Sequence, residues 1–109
     1  MNLISREELK DKLDRGDDFK LVMTLGDFGY RAKHIPGSLN ISTPELGQEM
    51  LDLDDEIVVY CSSEDCVASI SAYNILVLKG YKNVRRYAGG LLDWEDAGYP
   101  LEGEMVDEK

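Results

Sequence analysis

"EIVVYCSSEDCVAS", residues 56–69, joins an apolar run to a cysteine and then to a polar loop with a second cysteine. The unbroken apolar stretch at 57–59 is typical of a central parallel strand that is buried on both faces. Apolar residues recur at helical spacing after the loop and end at Gly80, a common helix stop. The stretch therefore predicts a strand, a loop and a helix, with Cys61 at the end of the strand.

The rest of the chain alternates between predicted strands and helices. The capping-box pattern at residues 5–8 starts one helix, and Thr43-Pro44 starts another. The predicted helices cover 5–14, 43–51, 69–79 and 91–97, and the predicted strands cover 19–23, 38–41, 56–60 and 84–87, with a loop over 24–33. This alternation predicts an α/β fold, with a central, mainly parallel sheet and helices on both faces.

Length and charge limit the domain count and the partners. At 109 residues the chain is long enough for one domain with a single core. We expect that domain over 1–101 and an acidic, frayed tail over 102–109. The 12 Lys and Arg against 22 Asp and Glu give a net charge of −10, which repels nucleic-acid phosphates and anionic membranes. We therefore expect neither nucleic acid nor membrane as a partner.

The cysteine and histidine content bounds the chemistry and the compartment. Two cysteines are too few for a disulfide framework, and no signal peptide opens the chain. We therefore expect a cytoplasmic protein whose thiols are mostly reduced. His34 is the sole histidine, so a Cys/His metal site lacks ligands. We expect His34 to fasten the turn that it begins.

Cys61 is predicted at the carboxyl end of a central strand, where open parallel sheets bind ligands. Backbone N–H groups of the loop, and the positive end of a helix starting near Ser69, would stabilise a thiolate there. The same N–H groups can hold an anionic substrate. Taken alone, the pattern suits a nucleophile and a small buried residue equally well.

Motifs outside this stretch favour the nucleophile. The chain reads "ISREEL" at 4–9, "KHIPGSLN" at 33–40, "VVYC" at 58–61 and "GYKNV" at 80–84, and it closes with Gly89, Gly90, Trp94, Gly98 and Pro100. In this order and spacing the motifs resemble the rhodanese-like domain family over residues 4–101. The resemblance implies a three-layer rhodanese-like sandwich with a central sheet of about five strands. We expect Gly89-Gly90 to let the chain pass close to the loop after Cys61.

The same resemblance implies that Cys61 is catalytic and that the protein is a thiosulfate sulfurtransferase-like enzyme. The Cys61 thiolate would attack the outer sulfur of a donor such as thiosulfate, forming a persulfide whose sulfur passes to a thiophilic acceptor. The substrate-binding loop would consist of Ser62, Ser63, Glu64, Asp65, Cys66 and Val67. No metal or organic cofactor is implied. The implied partners are a small anionic or other sulfane-sulfur donor and a thiol acceptor, and a protein partner stays open.

The active-site loop departs from the family pattern. It lacks the usual glycine and arginine, and Val67 stands where phosphatase relatives need an arginine, so phosphatase activity is not expected. Met23-Thr24-Leu25 replaces the Asp-Val-Arg that usually ends the strand before the His-Ile-Pro turn. We expect the Glu64 and Asp65 carboxylates to point to solvent while the backbone N–H groups of the loop point inward. If the carboxylates point inward instead, they oppose anion binding, and the loop selects a neutral or cationic donor, or a protein surface, over thiosulfate.

Cys66 has two interpretations. Either it packs beneath the helix start, or it is a resolving thiol that takes the persulfide sulfur or closes a disulfide with Cys61. Three functions therefore stay open: a sulfurtransferase with a Cys61 persulfide, a catalytically weak partner-binding or sulfur-carrier module, and a Cys61/Cys66 dithiol redox protein.

Overall fold

A computed structural model of the protein describes residues 1–41, 51–63 and 66–106. The chain runs in order through α1 (Arg6–Arg15), β1 (Lys20–Met23), α2 (Asp27–Ala32), β2 (Leu39–Asn40), β3 (Glu56–Tyr60), α3 (Val67–Leu78), β4 (Asn83–Tyr87) and α4 (Gly90–Asp96). The helix predicted over 43–51 lies, apart from Leu51, outside the described residues. No helix among the described residues has the length and apolar character needed to span a membrane.

The strands form one parallel sheet in the order β2-β1-β3-β4. The predicted parallel α/β fold is confirmed, and β3 occupies the central position that its apolar run predicts. The expected count of about five strands is too high by one, since the described residues form a sheet of four. Leu3 makes only an isolated bridge to Arg86, because the chain turns into α1 at Ser5, whose hydroxyl caps the helix.

Two segments differ from their predictions. Residues 27–32, predicted as loop, form the short helix α2. The residues just after 101, predicted to be frayed, pair with the end of this helix: the Glu102 N–H donates to the His34 carbonyl at 2.9 Å, and the Met105 N–H donates to the Ala32 carbonyl at 2.9 Å. Neither segment has a periodic apolar pattern, so composition alone does not indicate this backbone pairing.

Each face of the sheet is covered by its own apolar cluster. On the α1/α4 face, strand residues such as Tyr60 and Tyr87 pack with Leu9 of α1 and Trp94 of α4. On the α3 face, the alternate strand residues Val22, Ile57, Val59 and Val84 pack with Ala72 and Leu76. Successive strand side chains point to opposite faces, so consecutive residues of β3 belong to different clusters.

Candidate active site

Cys61 directly follows β3 at the carboxyl edge of the sheet and is only 1% exposed. The start of α4 fixes its backbone. The Leu91 N–H donates to the Cys61 carbonyl at 3.0 Å, and the Leu92 N–H donates to the Ser62 carbonyl at 2.9 Å. Two successive carbonyls of the loop are thereby bound to two successive backbone amides of α4. These two bonds hold the backbone of Cys61 and Ser62 against the start of α4.

Gly90 permits this close approach. It has a φ of +66°, and a Cβ on it would lie 2.7 Å from the Cys61 carbonyl oxygen and 2.9 Å from the Ser63 nitrogen. These neighbours are backbone atoms that cannot rotate away, so only glycine fits. The expected passage of the glycine pair beside the loop is thus found at Gly90. A Cβ at Gly89 would instead meet the side chain of Asp93.

A disulfide joins Cys61 to Cys66, the two cysteines of the chain. The two Cα atoms are 6.2 Å apart, within the range of about 4.4–6.8 Å that is usual for disulfides. The Cys66 N–H donates to the Ser63 carbonyl at 3.1 Å, so the loop curls back on itself. This curl brings the sulfurs together, and the expectation of reduced thiols is wrong for this form. Glu64 and Asp65, between these residues, lie outside the described residues.

The helix after the loop begins earlier than predicted. It starts at Val67 and not near Ser69, so Cys66 is its N-cap, with an extended backbone. The positive end of α3 is therefore next to the sulfur of Cys66. Val67, predicted to belong to the substrate loop, is the first helical residue and is 71% exposed. Ser62 and Ser63 are half-buried, and so is Cys66.

Arg86 is a site residue that sequence reasoning missed. It lies on β4, is 6% exposed, and its Nε donates to the Ser69 hydroxyl at 2.9 Å in the first turn of α3. Arg86 pairs in register with Val59, whose side chain lies on the α3 face. A buried guanidinium therefore lies against the first turn of the helix that follows the loop. A signal for it exists in the period of two from Val84 to Arg86, which places one arginine on the buried side.

The turn before β2 is tied to β3 through Tyr60. Its hydroxyl accepts from the Ile35 N–H at 2.9 Å and donates to the Ser38 hydroxyl at 3.0 Å. Burial raises the pKa of Tyr60 to about 12. His34, at the start of the same turn, lies with Nδ1 2.7 Å from the Tyr30 carbonyl oxygen. The expected structural role of His34 in fastening this turn fits these contacts.

An open groove beside the loop has acidic walls. Its lining residues are Ser63, Gly89, Leu92, Asp93, Glu95 and Asp96. The Asp93 carboxylate accepts from the Tyr87 hydroxyl at 2.6 Å and from Arg6 at 3.1 Å, so it is partly neutralised. Burial, followed by the bond to Asp93, raises the pKa of Tyr87, so this hydroxyl stays protonated.

Within the described part of the chain, no three acidic, cysteine or histidine side chains converge in a way that would hold a metal ion. The chemistry that these residues can perform is that of the two sulfurs and of the hydrogen-bond donors around them.

Fold and site together define a class: an α/β domain in which a central parallel strand brings a cysteine to the start of a helix. A model of the rhodanese-like domain matches residues 5–97, and the chain belongs to this family. The human single-domain sulfurtransferase TSTD1 has a similar structure, with a TM-score of 0.78 and 26% identity; the match covers 88% of this chain and 96% of that one.

Curated relatives differ in what their names say. The HTH-type transcriptional regulator Rv0324 of Mycobacterium tuberculosis is 36% identical over 101 residues, which cover 91% of this chain and 44% of that protein. Thiosulfate sulfurtransferase 18 of Arabidopsis thaliana is 40% identical over 55 residues, which cover 50% of this chain and 39% of that protein. The chain spans less than two thirds of the length of the curated relatives that it matches.

Proposed function

We propose that this domain is a sulfurtransferase that carries sulfane sulfur as a persulfide on Cys61. The observation that carries the proposal is the position of Cys61 at the carboxyl end of β3, with its carbonyl held by the Leu91 N–H. Reduction of the disulfide by an external dithiol frees the Cys61 thiolate, which attacks the outer sulfur of thiosulfate. A sulfur–sulfur bond forms on Cys61, the bond inside thiosulfate breaks, and sulfite leaves with the electron pair.

The surroundings of Cys61 support a thiolate in that position. Among the described residues, the N–H groups of Ser62, Ser63 and Val67 follow the nucleophile in the chain, and the positive end of α3 lies at Cys66. The Arg86 guanidinium against the first turn of α3 adds a buried positive charge to the same region. We propose that Arg86 supplies the cationic environment for which family members commonly use an arginine in the loop.

The acidic groove affects which donors bind well. A net charge of −10 and three carboxylates along the groove repel a dianion such as thiosulfate. We propose that thiosulfate is a slow donor, and that an uncharged or cationic persulfide is a faster one. The sulfur then passes to an acceptor thiol, which attacks the outer sulfur of the Cys61 persulfide.

A sulfite-release assay tests the proposal. The protein is reduced with a dithiol, freed of the reductant, and mixed with thiosulfate and an excess of a small acceptor thiol. Wild type should release sulfite catalytically, and Cys61→Ser should release it no faster than buffer. Equal release by wild type and Cys61→Ser would show that Cys61 carries no sulfur.

A sulfur-carrying or partner-binding module is the second candidate, and the similarity to the longer regulator Rv0324 favours it. On this alternative Cys61 takes up sulfur but passes it only to a protein partner. Stoichiometric sulfur uptake without turnover in small thiols is the result that would support the module over the enzyme.

A further inference from the structure

We infer that Cys66 resolves the Cys61 persulfide, closing the Cys61–Cys66 disulfide and releasing hydrosulfide. This inference rests on the proposed function, because it requires a sulfane sulfur on Cys61. It adds a further activity: without any acceptor thiol, the domain converts sulfane sulfur to hydrosulfide once per reduction. The disulfide in the structure is the product of that step.

The step balances without an external oxidant. The Cys66 thiolate attacks the Cys61 Sγ, and a bond forms between the two cysteine sulfurs. The bond from Cys61 Sγ to the sulfane sulfur breaks, and that sulfur leaves with the electron pair and takes a proton to become hydrosulfide. In this step the Cys66 sulfur is oxidised and the sulfane sulfur is reduced, while Cys61 Sγ exchanges one sulfur–sulfur bond for another and keeps its oxidation state. An external dithiol then reduces the disulfide and restores both thiols.

The backbone around both cysteines favours this attack. The carbonyls of Cys61 and Ser62 are bound to the start of α4, and the Cys66 N–H is bound to the Ser63 carbonyl. The Cα atoms of Cys61, before this turn, and of Cys66, at its end, are 6.2 Å apart. The resolving thiol therefore needs no long movement to reach the inner sulfur of the persulfide, and the local thiol competes well with thiols from solution.

Cys66 is also placed to be a thiolate. It is the N-cap of α3, a helix of 12 residues, and the first turn of this helix contains no acidic residue. Unsatisfied N–H groups and the helix dipole stabilise an anion at such a position. The buried guanidinium of Arg86, bonded to Ser69 in the same turn, acts in the same direction. Of the two thiols, Cys66 is the one next to the helix end.

The two cysteines differ in exposure, and the difference favours reduction of the disulfide by attack on Cys66. Cys61 is 1% exposed, whereas Cys66 is half-buried and is followed by an exposed Val67. A reducing thiol therefore reaches the sulfur of Cys66 first and forms a mixed disulfide there. Its attack releases Cys61 as the free thiolate, which is the group that accepts the next sulfur.

An anaerobic single-turnover experiment separates this inference from the proposed function. Reduced protein, freed of reductant, is mixed with thiosulfate and no other thiol, and intact mass, sulfite and hydrosulfide are measured. Wild type should end two hydrogen masses below its reduced form and release sulfite and hydrosulfide, each equimolar with protein. Cys66→Ser should gain the mass of a sulfur atom and release sulfite alone. A second variant, Cys66→Ala, checks that the serine hydroxyl plays no part.

Each remaining outcome has one meaning. If wild type keeps the added sulfur and releases no hydrosulfide, the inference about Cys66 is wrong while the persulfide on Cys61 stands. If neither Cys66 variant gains sulfur and neither releases sulfite, the proposed transfer from thiosulfate itself fails. If wild type loses two hydrogens without thiosulfate, the disulfide forms by another route and the inference is overturned.

Discussion

Tyr60 and Cys61 are neighbours in the chain, but they make their contacts on opposite faces of the sheet. The Tyr60 side chain lies on the α1/α4 face, where its hydroxyl ties the Ile35-containing turn to β3. Cys61 is bonded to the N-cap of α3. Arg86 and Tyr87 on β4 repeat the pattern: Arg86 contacts α3, and Tyr87 contacts α4 through Asp93. One residue of each pair anchors the framework, and the other contacts the start of α3.

This alternation lets the same edge of a small sheet hold a fixed framework on one face and carry a cysteine and an arginine on the other. The tyrosines bury aromatic area and fix neighbouring segments with hydrogen bonds, so they hold the ends of β3 and β4 in register. The alternate positions are then free to carry a thiol and a guanidinium. The comparison predicts that changes on the α1/α4 face alter stability, and that changes on the α3 face alter the thiols.

The largest stability effect is expected where the two regions touch, at Gly90. Gly90→Ala places a methyl group against the Cys61 carbonyl at a positive φ, which should cost about 3 kcal/mol of unfolding free energy. Gly98→Ala is the matched control, since Gly98 also has a positive φ (77°) but a Cβ added to it would have no atom within 4 Å. It should cost about 1 kcal/mol. Urea unfolding measures both, and equal losses would refute the close contact at Gly90.

Tyr60→Phe tests the framework side. It removes the partner of the buried Ile35 N–H and should cost about 2 kcal/mol at neutral pH. The folded pKa of Tyr60, about 12, is above the unfolded value, so its contribution is complete below about pH 10 and is lost as pH rises toward about pH 12.

Urea unfolding as a function of pH checks this second part. The alkaline loss of stability should be smaller in Tyr60→Phe than in wild type. If Tyr60→Phe keeps the wild-type slope between about pH 10 and about pH 12, the buried hydroxyl is not its source.

Arg86→Gln tests the chemical side. Loss of the buried charge beside α3 should slow sulfur loading about tenfold and shift the pH midpoint of thiol alkylation upward. Arg86→Lys should recover part of both. Arg85→Gln, at the half-buried neighbour that pairs with Glu8, should change neither, because Arg85 lies on the other face. An unchanged alkylation midpoint in Arg86→Gln would mean that Arg86 only packs in the core and does not influence the thiols.

The smallest expected effect is that of salt on the donor. Screening of the acidic groove should raise the rate with thiosulfate about twofold between low and physiological ionic strength. An uncharged donor should show no such rise. A rate with thiosulfate that falls with salt would mean that the loop attracts anions despite its acidic surroundings.

Much of the fold is predictable from sequence because its signals are local. The apolar run at 57–59 places β3 in the centre, and the capping box at Ser5 starts α1. What sequence misses depends on contacts between distant residues. The period of two from Val84 places Arg86 on the buried side of β4, but its pairing with Val59 and its bond to Ser69 join distant segments and have no local pattern. The pairing of Glu102 with His34 likewise joins segments far apart in the chain.

The position of the site is predictable from the sequence, but the disulfide between its cysteines and the start of α3 are less so. Cys61 follows from the end of an apolar strand, and the motif order around it favours a nucleophile. The prediction places the start of α3 two residues late because it rests on the spacing of the apolar residues further along the helix, whereas the N-cap is Cys66. Cysteine is not a usual capping residue, so no sequence signal indicates it. Because α3 starts at Val67, Cys66 lies at the N-terminal end of the helix, and this position makes it a candidate for resolving the Cys61 persulfide.

The most direct test of the central claim is to locate the transferred sulfur. Reduced Cys66→Ser protein is treated with thiosulfate, its thiols and persulfides are alkylated, and the peptides are mapped by mass spectrometry. We expect the added sulfur on Cys61, and an unmodified peptide in the double variant Cys61→Ser/Cys66→Ser. Sulfite release with no added sulfur on the peptide that contains Cys61 would contradict it.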